Sequence, residues 1–256
     1  MASGGMPLLL QGAQALGLSL SPRQLEQFET YYSELTLWNQ RINLTAISGY
    51  QEVQRRHFVD SLSCLLAFFH DDESGAIPDR LPLQRDDRPL RLLDVGSGAG
   101  FPGVPLKIMR PDLRVTLLEA TGKKVIFLKQ LVDTLELEGI DALKGRAEEL
   151  GHDPVHREAY DLVAARAVAH LRVLCEYGLP FLRLGGRMVA QKGEGAPAEA
   201  AEAAHALTVL GGRLLSCTPL HLPGIAGERY LVAIDKVAHV PDVYPRRPGI
   251  PSKRPL

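Results

Sequence analysis

The sequence predicts an α/β protein with a doubly wound, mostly parallel sheet and an N-terminal helical extension. Two observations carry this. From residue 90 onward short apolar runs alternate with amphipathic stretches, and repeated βα units imply a parallel sheet. The first such run, residues 90–95, stops in Gly96-Ser97-Gly98-Ala99-Gly100 and then opens a helix. A strand, a glycine turn and a helix N-terminus together form a cradle for nucleotide-type ligands.

The elements follow in order. Residues 1–70 read as helical. A short apolar helix covers 8–16. Ser21-Pro22-Arg23-Gln24 then starts a second, with Ser21 as N-cap, Pro22 in the first turn and Gln24 completing a capping box. Leu25, Phe28, Tyr32, Leu35, Trp38 and Ile42 form one face of that helix. Residues 50–69 give a third helix. Residues 71–89 hold prolines 78, 82 and 89 among many charges and read as a linker. The core spans 90–240, with strands at 90–95, 114–119, 140–144, 160–165 and 186–191. Helices are expected at 104–110, 122–137, 170–182 and 197–210, and a closing, antiparallel strand pair at 212–219 and 229–235. The tail, 241–256, has five prolines and Arg246, Arg247, Lys253 and Arg254 against Asp242, so it reads as extended and basic.

Composition sets bounds. The chain has 256 residues, 45% hydrophobic and 23% charged, an ordinary globular balance. A net charge of -1 excludes a globally basic nucleic-acid binder but leaves room for a local patch. Cys64, Cys175 and Cys217 are dispersed without C-x-x-C spacing, which points to a reducing compartment and to neither disulfides nor zinc. No apolar run reaches membrane-spanning length, and no basic region precedes Leu8-Leu9-Leu10, so a cytoplasmic protein without a secretory signal is expected.

The glycine turn admits two readings. Gly98, Gly100 and Gly103 satisfy the dinucleotide fingerprint, which would make the chain an NAD-dependent dehydrogenase. That fingerprint's first glycine should close the strand, however, and here Gly96 does so. Asp94-Val95-Gly96-x-Gly98-x-Gly100 is the form associated with S-adenosylmethionine. In open α/β sheets ligands lie at the carboxyl ends of strands. Asp94 and residues 96–101 close the first strand. Glu119 closes the second, where an acid can accept from both ribose hydroxyls. Gly145-Arg146-Ala147-Glu148 follows the third and would meet an adenine edge. Arg166 follows the fourth, facing the sulfonium and the incoming substrate, and Gln191-Lys192-Gly193 follows the fifth. Arg55-Arg56-His57 is a solvated face, a phosphate contact or a cover for the cofactor.

These residues carry a resemblance. The run from Asp94 to Ile108 resembles the bacterial 16S rRNA guanine-N7 methyltransferase family, also called glucose-inhibited division protein B. Trp38-Asn39 with Asn43-Leu44-Thr45-Ala46-Ile47, then Arg56-His57-Phe58-Val59-Asp60-Ser61-Leu62, look like its N-terminal signatures. Lys123-Lys124-Val125-Ile126-Phe127-Leu128, Gly145 to Glu149, Ala165-Arg166-Ala167-Val168-Ala169, Gln191-Lys192-Gly193 and Tyr244 to Pro251 follow in the family's order. The resemblance implies a class I, Rossmann-like methyltransferase fold and methyl transfer from S-adenosylmethionine to N7 of guanosine 527 in 16S rRNA. It implies cofactor contacts from Gly96, Phe101, Glu119, Ala120, Thr121, Ala147, Glu148 and Arg166, beside Asp94, Gly98 and Gly100 of the turn.

The chemistry fits what is missing. N7 of guanine has an in-plane lone pair and no proton to lose, so no general base is required and none is assigned. Arg166 and Lys192 would stand near the transfer site. No Asn/Asp-Pro-Pro-Tyr stretch follows the fourth strand, as exocyclic-amine methylation would want. Arg55, Arg56, His57, Lys192, Arg246, Arg247, Lys253 and Arg254 are the candidate RNA contacts, expected to converge around the cofactor mouth. The partner would be 16S rRNA, the small subunit or its precursor, with a monomeric enzyme, no metal and no membrane. A non-catalytic ribosome-binding module is the third reading.

Overall fold

The computed structural model describes residues 5–69, 88–166, 168–225 and 227–256. Helices α1 (Pro7–Ala15) and α2 (Pro22–Ile42) come first. A continuous helical run follows: α3 (Tyr50–Val53), a π-helical stretch (Gln54–Val59), α4 (Asp60–Leu62) and α5 (Cys64–Phe69). The core then alternates β1 (Arg91–Val95), α6 (Gly103–Met109), β2 (Arg114–Glu119), α7 (Gly122–Thr134), β3 (Ile140–Lys144), α8 (Ala147–Leu150), β4 (Tyr160–Arg166), α9 (Leu171–Gly178) and β5 (Leu182–Lys192). It closes with α10 (Ala196–Glu202), α11 (Ala204–Val209), β6 (Gly212–Leu220), β7 (Arg229–Lys236) and α12 (Ile250–Lys253).

The strands form one sheet in the order β3-β2-β1-β4-β5-β7-β6. Among the described residues only β7 runs against its neighbours, pairing antiparallel with β5 and β6. The order reverses between β1 and β4, where the connections part to opposite faces and leave a crevice. The register aligns the carboxyl ends there. Val95 lies opposite Leu118 and Ala165, and Arg166 opposite Gln191.

Successive strand residues face opposite sides, so the sheet divides the core in two. Leu92, Leu162 and Ala164 face one cluster, Leu93, Val163 and Ala165 the other. The first cluster also holds Leu9, Phe28, Tyr31, Phe58 and Leu62, so the N-terminal helices share it with the sheet. The capping box at Ser21 forms as expected: Ser21 Oγ accepts from Gln24 N at 3.3 Å, and Ser21 N donates to Gln24 Oε1 at 2.8 Å. The buried stripe of α2 is Phe28, Tyr31 and Leu35; Tyr32 and Trp38 are only partly covered. Burying each large apolar side chain contributes roughly 1.5–3 kcal/mol.

Several boundaries depart from the sequence reading. The helix expected at 170–182 stops at Gly178, and a single turn (Leu179–Phe181) leads into β5 at Leu182. Pro180 cannot supply the N–H that α9 would need to continue. The helix expected at 197–210 divides at Ala203. The tail is not wholly extended: α12 forms after Gly249, whose φ of 81° turns the chain. The proposed linker lies outside the described residues except for Arg88 and Pro89. Arg88 donates to the buried carboxylate of Asp161 at 2.8 Å.

Candidate active site

The glycine turn is held from below and from the side. Asp94 is fully buried, and its Oδ2 accepts from Gly103 N at 2.9 Å. Its Oδ1 has no partner among the described residues, and burial pushes its pKa up to about 7. Asp94 therefore supports the turn from beneath it. That corrects the expectation that it touches the cofactor, since a fully covered carboxylate reaches no ligand. A Cβ on Gly103 would stand 2.5 Å from Leu117 Cδ2 and 2.8 Å from Asp94 Oδ2. That glycine lets α6 pack closely against β1 and β2, a role the third glycine of a dinucleotide fingerprint also has, so it does not separate the two readings.

Gly98 differs. Its φ is 58°, and a Cβ there would meet nothing closer than the Gly96 carbonyl at 3.8 Å. The turn thus presents bare backbone to open space at the head of the crevice. Glu119 ties this turn to β2. Its Oε2 accepts from Gly98 N at 3.0 Å and its Oε1 from Thr121 N at 2.7 Å. Each carboxylate oxygen keeps a second lone pair for a ribose hydroxyl. Ala120 and Thr121 are exposed beside it. Across the edge, Ala147 and Glu148 begin α8, and Glu148 Oε1 accepts from Gly249 N of the tail at 3.1 Å.

Phe101 links turn and cleft. Its ring stacks with Tyr31 (centroids 5.2 Å apart) and with His57 (4.4 Å), and Arg166 Cζ lies 4.7 Å from its centroid. Arg166 is held by three hydrogen bonds. It donates to Asp60 Oδ2 at 3.3 Å, Arg56 O at 3.2 Å and His57 Nδ1 at 3.2 Å. Because His57 Nδ1 accepts, its proton sits on Nε2, which donates to Thr45 Oγ1 at 2.8 Å. Burial, with the Arg166 charge beside it, lowers the His57 pKa to about 3. His57 is thus a covered, neutral ring. That corrects its assignment as an RNA-binding cation.

On the other side of Arg166 opens a cleft of about 310 Å³, lined among others by Arg56, Asp60, Gln191, Lys192, Arg229 and Tyr230. Burial raises the Asp60 pKa, partly offset by Arg166 and Arg229. Lys192 Nζ sits 2.6 Å from both Ala169 O and Glu199 Oε2 at the rim. Arg55 lies against Gly224, and Arg56 is exposed and pairs with Glu52.

The tail departs from its expected role. Arg246 binds the fully buried Glu176, with Nε–Oε1 at 2.9 Å and a second nitrogen 2.6 Å from Oε2. That ion pair anchors the tail, which corrects the assignment of Arg246 to RNA. Arg247, Lys253 and Arg254 stay exposed. The tail meets the site at Glu148, and none of its residues lines the cleft. The expected convergence of all the cations is thus divided between two places. Tyr31, Arg229 and Tyr230 were missed by the sequence reading. Tyr31 had a signal, since it stands three residues after Phe28 and four before Leu35. Among the described residues no group of three His, Cys, Asp or Glu is placed to hold a metal, and no helix is long and apolar enough to cross a membrane.

Comparison with known proteins matches this arrangement. A family model described as rRNA small subunit methyltransferase G matches residues 24–224. A ribosomal RNA small subunit methyltransferase G from Roseiflexus castenholzii is 47% identical over 251 residues, covering 98% of this chain and all of its own. One from Pelotomaculum thermopropionicum is 46% identical over 246 residues, 96% of each chain. Among solved structures, a SAM dependent methyltransferase from Aquifex aeolicus aligns over 59% of this chain and 84% of its own, with a TM-score of 0.45 and 17% identity. The chain belongs to the rRNA small subunit methyltransferase G family and is an S-adenosylmethionine-dependent rRNA methyltransferase.

Proposed function

We propose that the protein methylates N7 of guanosine 527 in 16S rRNA. The observation that carries this is the position of Arg166, which stands over Phe101 beside the cofactor turn and also lines the cleft. Methyl donor and acceptor would meet at that residue. The open face of Gly98 fits a ligand laid against the turn, with Glu119 on its ribose and Ala147 and Glu148 toward its adenine. S-adenosylmethionine supplies, when bound, an electrophilic methyl group on a sulfonium. The protein's own part is orientation. N7 carries no proton, so holding it in line with the methyl is the chief requirement, and bound geometry of that kind is worth several kcal/mol. His57, neutral and hydrogen-bonded on both nitrogens, fixes Arg166 rather than moving a proton.

Arg55, Arg56, Lys192, Arg247, Lys253 and Arg254 would contact phosphate. The substrate is read as the small subunit or a precursor of it in the cytoplasm, met by a monomer. Mapping N7-methylguanosine in 16S rRNA from cells with and without the protein tests the proposal. Loss of the mark at one guanosine in the deficient cells is the expected result. Identical methylation in both would sink it and leave a non-catalytic binding role. Calorimetry that found NAD binding without S-adenosylmethionine binding would sink it as well.

A further inference from the structure

The cleft beside Arg166 carries more polar capacity than the protein itself satisfies. Two carboxylates line it, Asp60 and Glu199. Glu199 is occupied: its Oε2 accepts from Leu171 N at 2.7 Å and meets Lys192 Nζ at 2.6 Å. Asp60 is not. Its Oδ2 takes one long bond from Arg166, at 3.3 Å, and no described residue donates to its Oδ1. Two other lining residues hold covered polar atoms without a partner among the described residues, Gln191 Oε1, an acceptor, and Arg229 Nε, a donor. An acceptor that keeps a lone pair beside a cleft can take a donor from a molecule seated there, and Asp60 Oδ1 is such an acceptor.

We propose that Asp60 selects guanine, its carboxylate accepting from N1–H and from the exocyclic amine of a base seated in this cleft. This deepens the reading of the protein as a guanine-N7 methyltransferase and rests on it. The argument is one of matching edges. Guanine alone offers two adjacent donors on its pairing edge, with the O6 acceptor beside them. A carboxylate accepts from both donors, and an arginine N–H can serve O6. Adenine would set its N1 lone pair against the Asp60 charge. Uracil offers one donor between two acceptors. A guanine held by its pairing edge also leaves its five-membered edge, which carries N7, unblocked.

The same contact favours the reaction. As N7 takes the methyl group, the sulfur–carbon bond breaks and its electron pair returns to sulfur. The N7 lone pair forms the new bond, and positive charge spreads over the purine. No proton leaves in this step. The charge makes N1–H more acidic, so its bond to Asp60 strengthens toward the transition state. Asp60 thus reads the base and stabilises the charge that forms on it.

The test uses the full-length protein and small-subunit RNA carrying guanosine or inosine at the target position. Inosine keeps N1–H and lacks the exocyclic amine. The wild-type protein should methylate the guanosine RNA about 10- to 100-fold faster by kcat/KM, the factor expected for one charge-assisted hydrogen bond. Asp60→Asn should lose most activity on guanosine RNA and bring the guanosine-to-inosine ratio close to one. Its affinity for S-adenosylmethionine, read by calorimetry, should stay within about threefold. If Asp60 merely props up Arg166, both substrates suffer alike and the ratio stays at its wild-type value, which overturns the inference. A wild-type ratio near one overturns it without any variant, so misfolding of Asp60→Asn cannot shield it. Failure of the wild-type protein to methylate guanosine RNA, or equal methylation of RNA carrying 7-deazaguanosine there, overturns the parent reading instead.

Discussion

Tyr31 Oη donates to the carbonyl of Ala99 at 2.6 Å, across 68 residues of sequence. The hydroxyl lies against the turn so closely that a Cβ on Gly100 would stand 2.7 Å from it. A helix of the N-terminal extension thus fixes the middle of the cofactor turn. Tyr31→Phe removes one hydroxyl and leaves a buried carbonyl unpaired. We expect about 1–3 kcal/mol of lost stability and a three- to tenfold weaker affinity for S-adenosylmethionine. Thermal unfolding and calorimetry check both. Wild-type affinity in this variant would mean that the turn needs no such support.

Gly98 and Gly103 should fail in different ways. Gly98→Val places a branched side chain in ligand space, at a φ of 58°. Cofactor binding should vanish, while the fold survives a strain of roughly 1–2 kcal/mol. Gly103→Ala meets Leu117 and Asp94 at closer than 3 Å, so it should cost about 1–3 kcal/mol of stability through overpacking. Denaturation midpoints and cofactor titrations of the two variants separate the roles. Glu119→Ala, between them, should weaken binding by about 1–3 kcal/mol.

Two buried groups pull the pH dependence in opposite directions. His57 protonates near pH 6.5 when unfolded and only near about 3 when folded. Between those values the unfolded chain holds more protons, so His57 makes stability rise with pH, by at most about 1.4 kcal/mol per unit. Asp94 titrates at about 7 folded against 3.8 unfolded. There the folded chain holds more protons, so its contribution falls as pH rises through that window. His57→Phe should therefore remove the acid-side loss of stability, and Asp94→Asn the decline toward neutral pH. Urea denaturation across this range shows whether each variant loses its own slope. Unchanged slopes would mean that neither group titrates as its surroundings imply.

The tail cations should also part company. Arg246→Ala leaves the Glu176 carboxylate buried without its partner, a loss of about 3–5 kcal/mol in such settings. Arg247→Ala should leave stability alone and lower RNA affinity. The slope of log affinity against log salt should flatten by about one for each phosphate that the variant no longer neutralises. Filter binding at several salt concentrations checks this, and an unaltered slope would free the tail of any RNA role.

Much of the fold was legible because its signals are local. Ser21 and Gln24 cap their own helix, and the βα alternation needs only the period of apolar residues to be seen. The strand ends Val95 and Glu119 follow from the same pattern, and Arg166 closes its strand one residue beyond the expected end. What was not legible is long-range pairing. Nothing near His57 in sequence says that Arg166, 109 residues away, will occupy its Nδ1, and nothing near Arg246 announces Glu176, 70 residues before it. Charge was therefore counted as free where the fold had already used it. Gly103 could not separate the two readings of the turn, since close packing of the helix on the sheet asks for glycine there in both.

Order of synthesis gives the Arg246–Glu176 pair a further meaning. Glu176 leaves the ribosome 70 residues ahead of the arginine that neutralises it. Until then α9 carries an acid on the side that must turn inward, and burying a lone carboxylate costs several kcal/mol. We therefore expect that layer of the nascent protein to stay unlatched until Arg246 arrives. A ribosome-stalled chain ending before Arg246 should accordingly be cut by protease near α9, and one extending past the tail should be protected there. Equal protection in both would show that the latch is not needed for closure.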